Sequence, residues 1–218
     1  MNKILKAGIL LLLLVMPVFI FIFLHSFGEN KFTLPVYYEN GVESSLTSCN
    51  FAEGQHFIPD FKLTNQRKEA VTAEIFEGKI SVVDFFFTSC PNICPKMSDQ
   101  LYRFQESLKG ETGIQIVSFT VDPANDTPDV LAKYAREYQA NQEQWTFLTG
   151  EKEALYRMAR CGFILPVEDG DGSPEDFIHS EKLILVDQQG RIRGYYDGTS
   201  REDVDRLILE TRILLKDA

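Results

Sequence analysis

Two cysteines, Cys90 and Cys94, stand in the stretch FFFTSCPNICPKM, and a proline follows each of them. A pair of thiols at this spacing can form a disulfide, act as a redox couple, contribute to a metal site or fill the core as two small apolar residues. The chain has four cysteines in 218 residues, too few for a small fold held together by disulfides. The surrounding elements therefore have to decide between these roles.

The elements around the pair are a strand and a helix. The apolar run 79–87 predicts a strand that is buried on both faces, and the apolar residues after Pro95 recur at helical spacing. Further strands are predicted at 114–121, 145–148, 183–186 and 192–196, and further helices from 128, over 151–160 and from 201. This order predicts an α/β, thioredoxin-like fold with a mostly parallel sheet, one inserted helix and a C-terminal antiparallel hairpin around DQQG.

The cysteine pair then lies at the carboxyl end of a parallel strand, where ligands usually bind. Because Pro95 has no N–H and disfavours the helical region for the residue before it, we predict that the helix begins at Pro95. Residues 90–94 would form a loop above the helix, with both sulfur atoms near its unpaired N–H groups. Such surroundings favour the thiolate, which binds soft metals and attacks disulfides.

A third metal ligand has to come from elsewhere in the chain. Of the three histidines, His25 lies at the end of the apolar N-terminal segment and His56 lies ahead of the regular elements. His179 precedes the strand at 183, and in a thioredoxin-like arrangement the loop before this strand packs against the cysteine loop. The alternative is an ordinary loop or core histidine. Two thiolates and one imidazole would suit Cu(I), whereas a structural zinc site would need a fourth protein ligand.

The N-terminal segment predicts a membrane anchor. Ala7 to Leu24 are 18 consecutive residues without a charge, enough for a helix of about 27 Å. Lys3 and Lys6 precede this segment, so we expect the tail in the cytoplasm and the rest on the periplasmic side of a bacterial inner membrane. A cleaved signal peptide is the alternative. The expected organisation is an anchor over 1–25, a linker over 26–55 and the thioredoxin-like domain over 56–218.

Charge and the remaining cysteines add two expectations. The net charge of −10 argues against a nucleic-acid surface, which needs clustered Lys and Arg. In an oxidising compartment thiols pair unless a reductant or a metal prevents it. Cys49 and Cys161 are therefore expected either as buried thiols or as a mutual disulfide.

The chain resembles the Sco/SenC family, membrane-anchored copper proteins with a thioredoxin fold. The resemblance rests on IPDFKLTNQ (58–66), FFFTSCPNICPKM (85–97), VDPANDTPDVLAKY (121–134), WTFLTG (145–150) and HSEKLILVDQQGRIRGYYDG (179–198). It implies that Cys90, Cys94 and His179 bind copper as Cu(I), with Cu(II) as a second oxidation state. It also implies a copper donor, a thiol reductant and a copper acceptor, which is cytochrome c oxidase subunit II or a similar protein.

Two features of the chain qualify this resemblance. Many family members have Val-Asp directly before His-Ser, whereas this chain has Phe177 and Ile178, so no acidic residue stands there to orient the imidazole. The motif DPANDTP has a simple structural explanation, since Asp126 or Thr127 can cap the helix that begins at Pro128.

Two functions follow for the exported domain. The first is a copper metallochaperone, which is not an enzyme. The second is a thiol–disulfide oxidoreductase, in which Cys90 and Cys94 are the catalytic pair and reduce cysteines of the oxidase subunit or of other envelope proteins. A copper site needs His179, and a dithiol reductase does not.

Overall fold

The computed structural model of the chain describes residues 2–27, 33–43, 49, 51, 54–165 and 180–216. The chain divides into two compact units, residues 1–33 and residues 34–218. The first unit contains one long helix, α1 (Lys3–Phe27), with Pro17 inside it. The apolar stretch Ile4–Leu24 has 21 residues and a mean hydropathy of 3.0. By length and composition α1 can cross the ~30 Å hydrocarbon core of a bilayer, although a signal sequence has the same properties.

The second unit is built on a mixed sheet that has seven strands in the described residues. These strands are β1 (Lys62–Asn65), β2 (Ala70–Thr72), β3 (Ile80–Phe86), β4 (Ile114–Thr120), β5 (Trp145–Thr149), β6 (Lys182–Val186) and β7 (Ile192–Asp197). Their order is β2-β1-β5-β4-β3-β6-β7, with β3, β4 and β5 parallel at the centre. The other neighbouring pairs are antiparallel.

The sequence predicted five of these strands, and the β6–β7 hairpin lies at one edge of the sheet as expected. The β1–β2 hairpin at the opposite edge was not predicted from the sequence. Its strands have only four and three residues, too few for a period of two to be recognised.

Helices cover both faces of the sheet. They are α2 (Ile93–Ser107), α3 (Pro128–Glu137), α4 (Lys152–Arg157), which continues into a π-helical turn (Met158–Gly162), and α5 (Arg201–Lys216). Successive residues of β3 point to opposite faces: Val82 packs in the cluster that includes residues of α2, α3 and α5, and Val83 packs in the cluster of α4 and the π-helical turn. Because both faces of β3 are buried, its sequence is apolar almost throughout.

A disulfide joins Cys49 to Cys161, with the two Cα atoms 5.7 Å apart. It links the segment before β1 to the π-helical turn after α4, across a sequence separation of 112 residues. Of the two alternatives that the sequence left open, the structure selects the disulfide. Such a cross-link restricts the unfolded chain. Cys90 and Cys94 are the free thiols.

A polar chain crosses the centre of the sheet. Asp84 of β3 is buried and accepts a hydrogen bond from the hydroxyl of Ser118 in β4. The Ser118 hydroxyl in turn accepts a 2.8 Å hydrogen bond from the indole N–H of Trp145 in β5. Burial raises the pKa of Asp84 to about 7, although the hydrogen bond from Ser118 opposes this shift. The carboxyl is therefore held in a place where its charged form is disfavoured.

This shift predicts a pH-dependent stability. Because the pKa of Asp84 is higher in the folded chain than its ordinary 3.8, the folded state binds the proton more tightly, and stability is lost as pH rises from about 4 to 7. The Asp84→Asn variant lacks this loss, so relative to wild type it should gain on the order of 4 kcal/mol between pH 4 and 8. The measurement is denaturant unfolding of the full-length chain in detergent, followed by fluorescence of the single Trp145.

Asp187→Asn is the control for this experiment. Burial would raise the pKa of Asp187, but hydrogen bonds from Arg191 and Arg193 lower it below its ordinary value. Asp187 therefore contributes stability that is lost as pH falls. The stability of Asp187→Asn relative to wild type should thus rise as pH falls, whereas that of Asp84→Asn should rise as pH increases. Parallel stability profiles of wild type and Asp84→Asn would contradict the prediction.

Candidate metal centre

The cysteine loop, residues 87–92, joins the end of β3 to the start of α2. The backbone N–H of Cys90 donates a 3.2 Å hydrogen bond to the carbonyl of Phe87, which closes a tight turn before the first cysteine. Cys90 is half-buried, whereas the side chain of Cys94 is buried. The loop lies at the carboxyl end of a central parallel strand, as the sequence predicted.

The predicted start of the helix at Pro95 is wrong, because α2 begins at Ile93 with Asn92 at its N-cap position. Cys94 therefore lies in the first turn of the helix, and Pro95 is its third residue. The first four N–H groups of a helix have no acceptor within the helix, so a proline in this turn loses no hydrogen bond. The preference of a residue before proline for extended backbone is overridden here.

The two sulfur atoms face each other across the start of α2. The backbone N–H of Cys94 donates to Cys90 Sγ at a distance of 3.4 Å. Burial tends to raise the pKa of Cys90, but hydrogen bonds from the N–H groups of Cys94, Asn92 and Ile93 and from the Cys94 thiol together lower it below its ordinary value. The N-terminus of α2 therefore favours the thiolate of Cys90.

Cys94 behaves in the opposite way. Burial raises the pKa of its thiol strongly, and the neighbouring sulfur of Cys90 and the charge of Asp84 raise it further. The sequence-based expectation that both sulfur atoms favour the thiolate is thus correct for Cys90 and wrong for Cys94. Of the two thiols Cys90 is therefore the stronger acid, and a hydrogen bond from the Cys94 thiol to its sulfur favours the charged form.

His179, the predicted third ligand, lies outside the described residues, as do Phe177 and Ile178 before it. The structure describes the chain again from Ser180, just before β6. Because Val83 pairs with Ile184 in antiparallel register, β6 begins beside the carboxyl end of β3. A Cβ added to Gly198 would lie 3.1 Å from both the Glu181 carbonyl oxygen and Cγ of Met97 in α2. The start of β6 is therefore close to α2, on the cysteine side of the sheet.

The described residues contain no cluster of three or more His, Cys, Asp or Glu side chains that could hold a metal ion. Cys90 and Cys94 alone supply two sulfur donors.

The other two histidines lie in different places. His25 belongs to α1. His56 is buried, its Nε2 lies 2.8 Å from the Gly162 carbonyl oxygen, and its ring packs edge-on against Tyr38 and Phe51. Burial lowers the pKa of His56, although the hydrogen bond to Gly162 opposes this. His56 is thus a core histidine with a hydrogen-bond partner.

One residue near the site was misread in the sequence. Asp126 does not cap α3: Thr127 is at the N-cap position, where no side-chain capping bond is made. The carboxylate of Asp126 instead accepts hydrogen bonds from Thr88 in the cysteine loop and from Thr120 at the end of β4. The motif DPANDTP marked this residue, but the spacing that suits a helix cap hid the contact, which spans 38 residues.

Comparisons with known proteins agree with this architecture. A family model described as SCO1/SenC matches residues 50–214. The SCO1 protein homolog of Bacillus subtilis is 30% identical over 195 residues, which cover 88% of this chain and 91% of the relative.

Two solved structures are similar to the chain. BsSco, described as a member of the Sco family of cytochrome c oxidase assembly proteins in which a disulfide switch was identified, is 31% identical with a TM-score of 0.63, covering 73% of this chain and 93% of that chain. Yeast Sco1 with copper bound is 25% identical with a TM-score of 0.57, covering 72% of this chain and 88% of that chain. These likenesses confirm the predicted thioredoxin-like fold, and the family model spans most of the chain. The chain belongs to the SCO1/SenC family.

Proposed function

We propose that this protein is a membrane-anchored copper chaperone that binds Cu(I) through Cys90, Cys94 and His179 and delivers it to the dinuclear copper centre of cytochrome c oxidase. Copper is the cargo of this function. The observation that carries the proposal is the pair of free sulfur atoms at the N-terminus of α2, in a chain of the SCO1/SenC family.

The two sulfur donors suit the cargo. Cu(I) is a soft ion that prefers thiolate ligands and accepts low coordination numbers. The lowered pKa of Cys90 favours its thiolate, the form that binds the metal. The pKa of Cys94 is raised, so this thiol has to release its proton when it binds the metal. Copper binding therefore depends on pH.

His179 is the proposed third ligand. The residues that follow it, from Ser180 into β6, lie at the end of the sheet where β3 stops and the cysteine loop begins. Three protein ligands leave a position open for a donor group of the acceptor, so the ion can pass by exchange of one ligand at a time. Without an acidic residue at positions 177 and 178, the imidazole has to be oriented by other groups.

The relatives support the proposed partners. BsSco is described as a cytochrome c oxidase assembly protein, and a yeast Sco1 structure holds copper. By analogy the acceptor of this chain is cytochrome c oxidase subunit II or a similar copper protein. The function also needs a copper donor, and it needs a thiol reductant because an oxidised Cys90–Cys94 pair cannot bind Cu(I).

The proposed location is the bacterial inner membrane. Residues 1–25 are the cytoplasmic tip and anchor, 26–55 the linker and 56–218 the copper-binding domain. The apolar stretch of α1 supports a single span, and Lys3 and Lys6 at its N-terminal end favour an N-terminus inside and a domain on the periplasmic side.

A second candidate function is thiol–disulfide exchange, which the difference between the two thiols favours. The Cys90 thiolate would attack a disulfide of the partner and form a mixed disulfide, with one partner sulfur leaving as a thiolate. Cys94, after losing its proton, would attack Cys90 Sγ and release the second partner sulfur. The partner gains two electrons, the Cys90–Cys94 pair becomes a disulfide, and a thiol reductant restores it.

The copper proposal predicts the effect of removing the imidazole. Because two sulfur atoms alone hold Cu(I) less tightly, His179→Ala should weaken the Cu(I) affinity by at least about tenfold while Cys90 and Cys94 still form their disulfide. The measurement is competition with a chromogenic Cu(I) chelator, using the full-length chain in detergent. His56→Ala is the matched control. Because His56 forms a hydrogen bond with the Gly162 carbonyl, away from Cys90 and Cys94, this variant should leave the Cu(I) affinity unchanged. Full affinity in His179→Ala would refute the ligand assignment.

The difference between the thiols predicts their reactivity. In the reduced, metal-free chain at pH 7, iodoacetamide should alkylate Cys90 at least about ten times faster than Cys94, because Cys94 is buried and protonated. Peptide mass spectrometry gives both rates. Cys94→Ser should keep a reactive Cys90, whereas Cys90→Ser should leave Cys94 slow, and denaturation should make the two rates similar. Equal rates in the folded chain would contradict the assignment of Cys90 as the attacking thiol.

A further inference from the structure

The segment between β4 and α3 carries a buried carboxylate that neither proposed function uses. Asp126 is fully buried at 0% exposure. Its carboxylate accepts the backbone N–H of Thr88 at 3.1 Å and the hydroxyl of the same residue. It also accepts the hydroxyl of Thr120, the last residue of β4.

These hydrogen bonds join the cysteine loop to the end of the sheet. Thr88 is two residues before Cys90, and both its backbone and its side chain are bound to the same carboxylate. Thr120 is itself fixed, because its Oγ1 accepts the backbone N–H of Asp122 at 3.0 Å. The loop is therefore held from the side that faces α3, in addition to its covalent links to β3 and α2.

The cost of burying this group indicates what it does. An isolated buried carboxylate is unfavourable, and it persists where several donors satisfy it. Two of the donors of Asp126 come from the loop that carries Cys90. The helix that begins two residues later takes no capping bond from it. The contact therefore fixes the position of the cysteine loop and does not cap α3.

We propose that Asp126 is a positioning residue for the dithiol, fixing residues 88–90 so that Cys90 Sγ stays at the N-terminus of α2 and opposite Cys94. The inference rests on the proposed function of the Cys90–Cys94 site. A substitution that frees the loop should therefore weaken metal binding. It should also make the Cys90–Cys94 disulfide less favourable, because the two sulfur atoms are held near each other less of the time.

The test compares Asp126→Asn and Thr88→Val with wild type, using the full-length chain in detergent. Asp126→Asn should weaken the Cu(I) affinity by about 10- to 100-fold in chelator competition, as expected when a group that orients a ligand is changed. In glutathione buffers the dithiol reacts with one glutathione disulfide to give the Cys90–Cys94 disulfide and two glutathione thiols. The equilibrium constant of this reaction should fall about fivefold or more in Asp126→Asn, and peptide mapping separates this pair from Cys49–Cys161.

Asp187→Asn is the matched control. Asp187 is also buried, but it lies beyond the end of β6 that pairs with the start of β3, at the opposite end of the sheet from the cysteines. It should lose stability without a change in either equilibrium. Equal changes in Asp187→Asn, or unchanged copper and glutathione equilibria in folded Asp126→Asn, would overturn the positioning role.

Thr88→Val keeps the inference testable if Asp126→Asn does not fold. It removes one of the hydrogen bonds and should shift both equilibria in the same direction by about threefold or more. In a folded Asp126→Asn background it should add little, since the two residues act through one contact. Copper bound tightly by wild type and equally by both variants would defeat this inference alone. Failure of wild type to bind Cu(I) would defeat the copper proposal, and the glutathione arm would still decide the role of Asp126.

Discussion

The hydrogen bonds between the first turn of α2 and Cys90 Sγ set the chemistry of this site. N–H groups at the start of a helix have no acceptor in the helix, and here they donate to a sulfur atom. The same turn carries Cys94 into the core, where burial keeps its proton in place. One short segment thus gives two identical residue types different acidities, which either metal transfer or thiol exchange can use.

The sheet explains why these atoms meet at this place. β3 is a central strand parallel to β4, and the chain passes from its carboxyl end through the cysteine loop to the start of α2. β6 runs antiparallel beside β3, so it begins at the end of the sheet where β3 stops. The pairing brings the far half of the chain to the cysteine loop, even though almost ninety residues separate Cys94 from the start of β6 in sequence. Asp84 lies in the same strand, and its charge adds to the raised pKa of Cys94.

Much of this could be predicted from the sequence, because strong local patterns carry it. The apolar run of β3 and the helical spacing of α2 gave both elements, and the cysteines mark their junction. Tertiary packing decided the rest. The helix starts at Ile93 because proline is tolerated in a first turn, and Cys94 is a poor acid because the fold buries it. The contact of Asp126 with Thr88 spans 38 residues, so no local pattern could reveal it, and the short β1–β2 hairpin left no periodic signal.

We propose above that copper is held by two sulfur atoms and one imidazole. X-ray absorption at the copper edge of the Cu(I)-loaded full-length chain tests it most directly, because sulfur and nitrogen neighbours scatter differently. We expect two sulfur neighbours and one nitrogen neighbour that shows the outer-shell scattering of an imidazole ring. A spectrum with sulfur neighbours only, or with fewer than two of them, would contradict it.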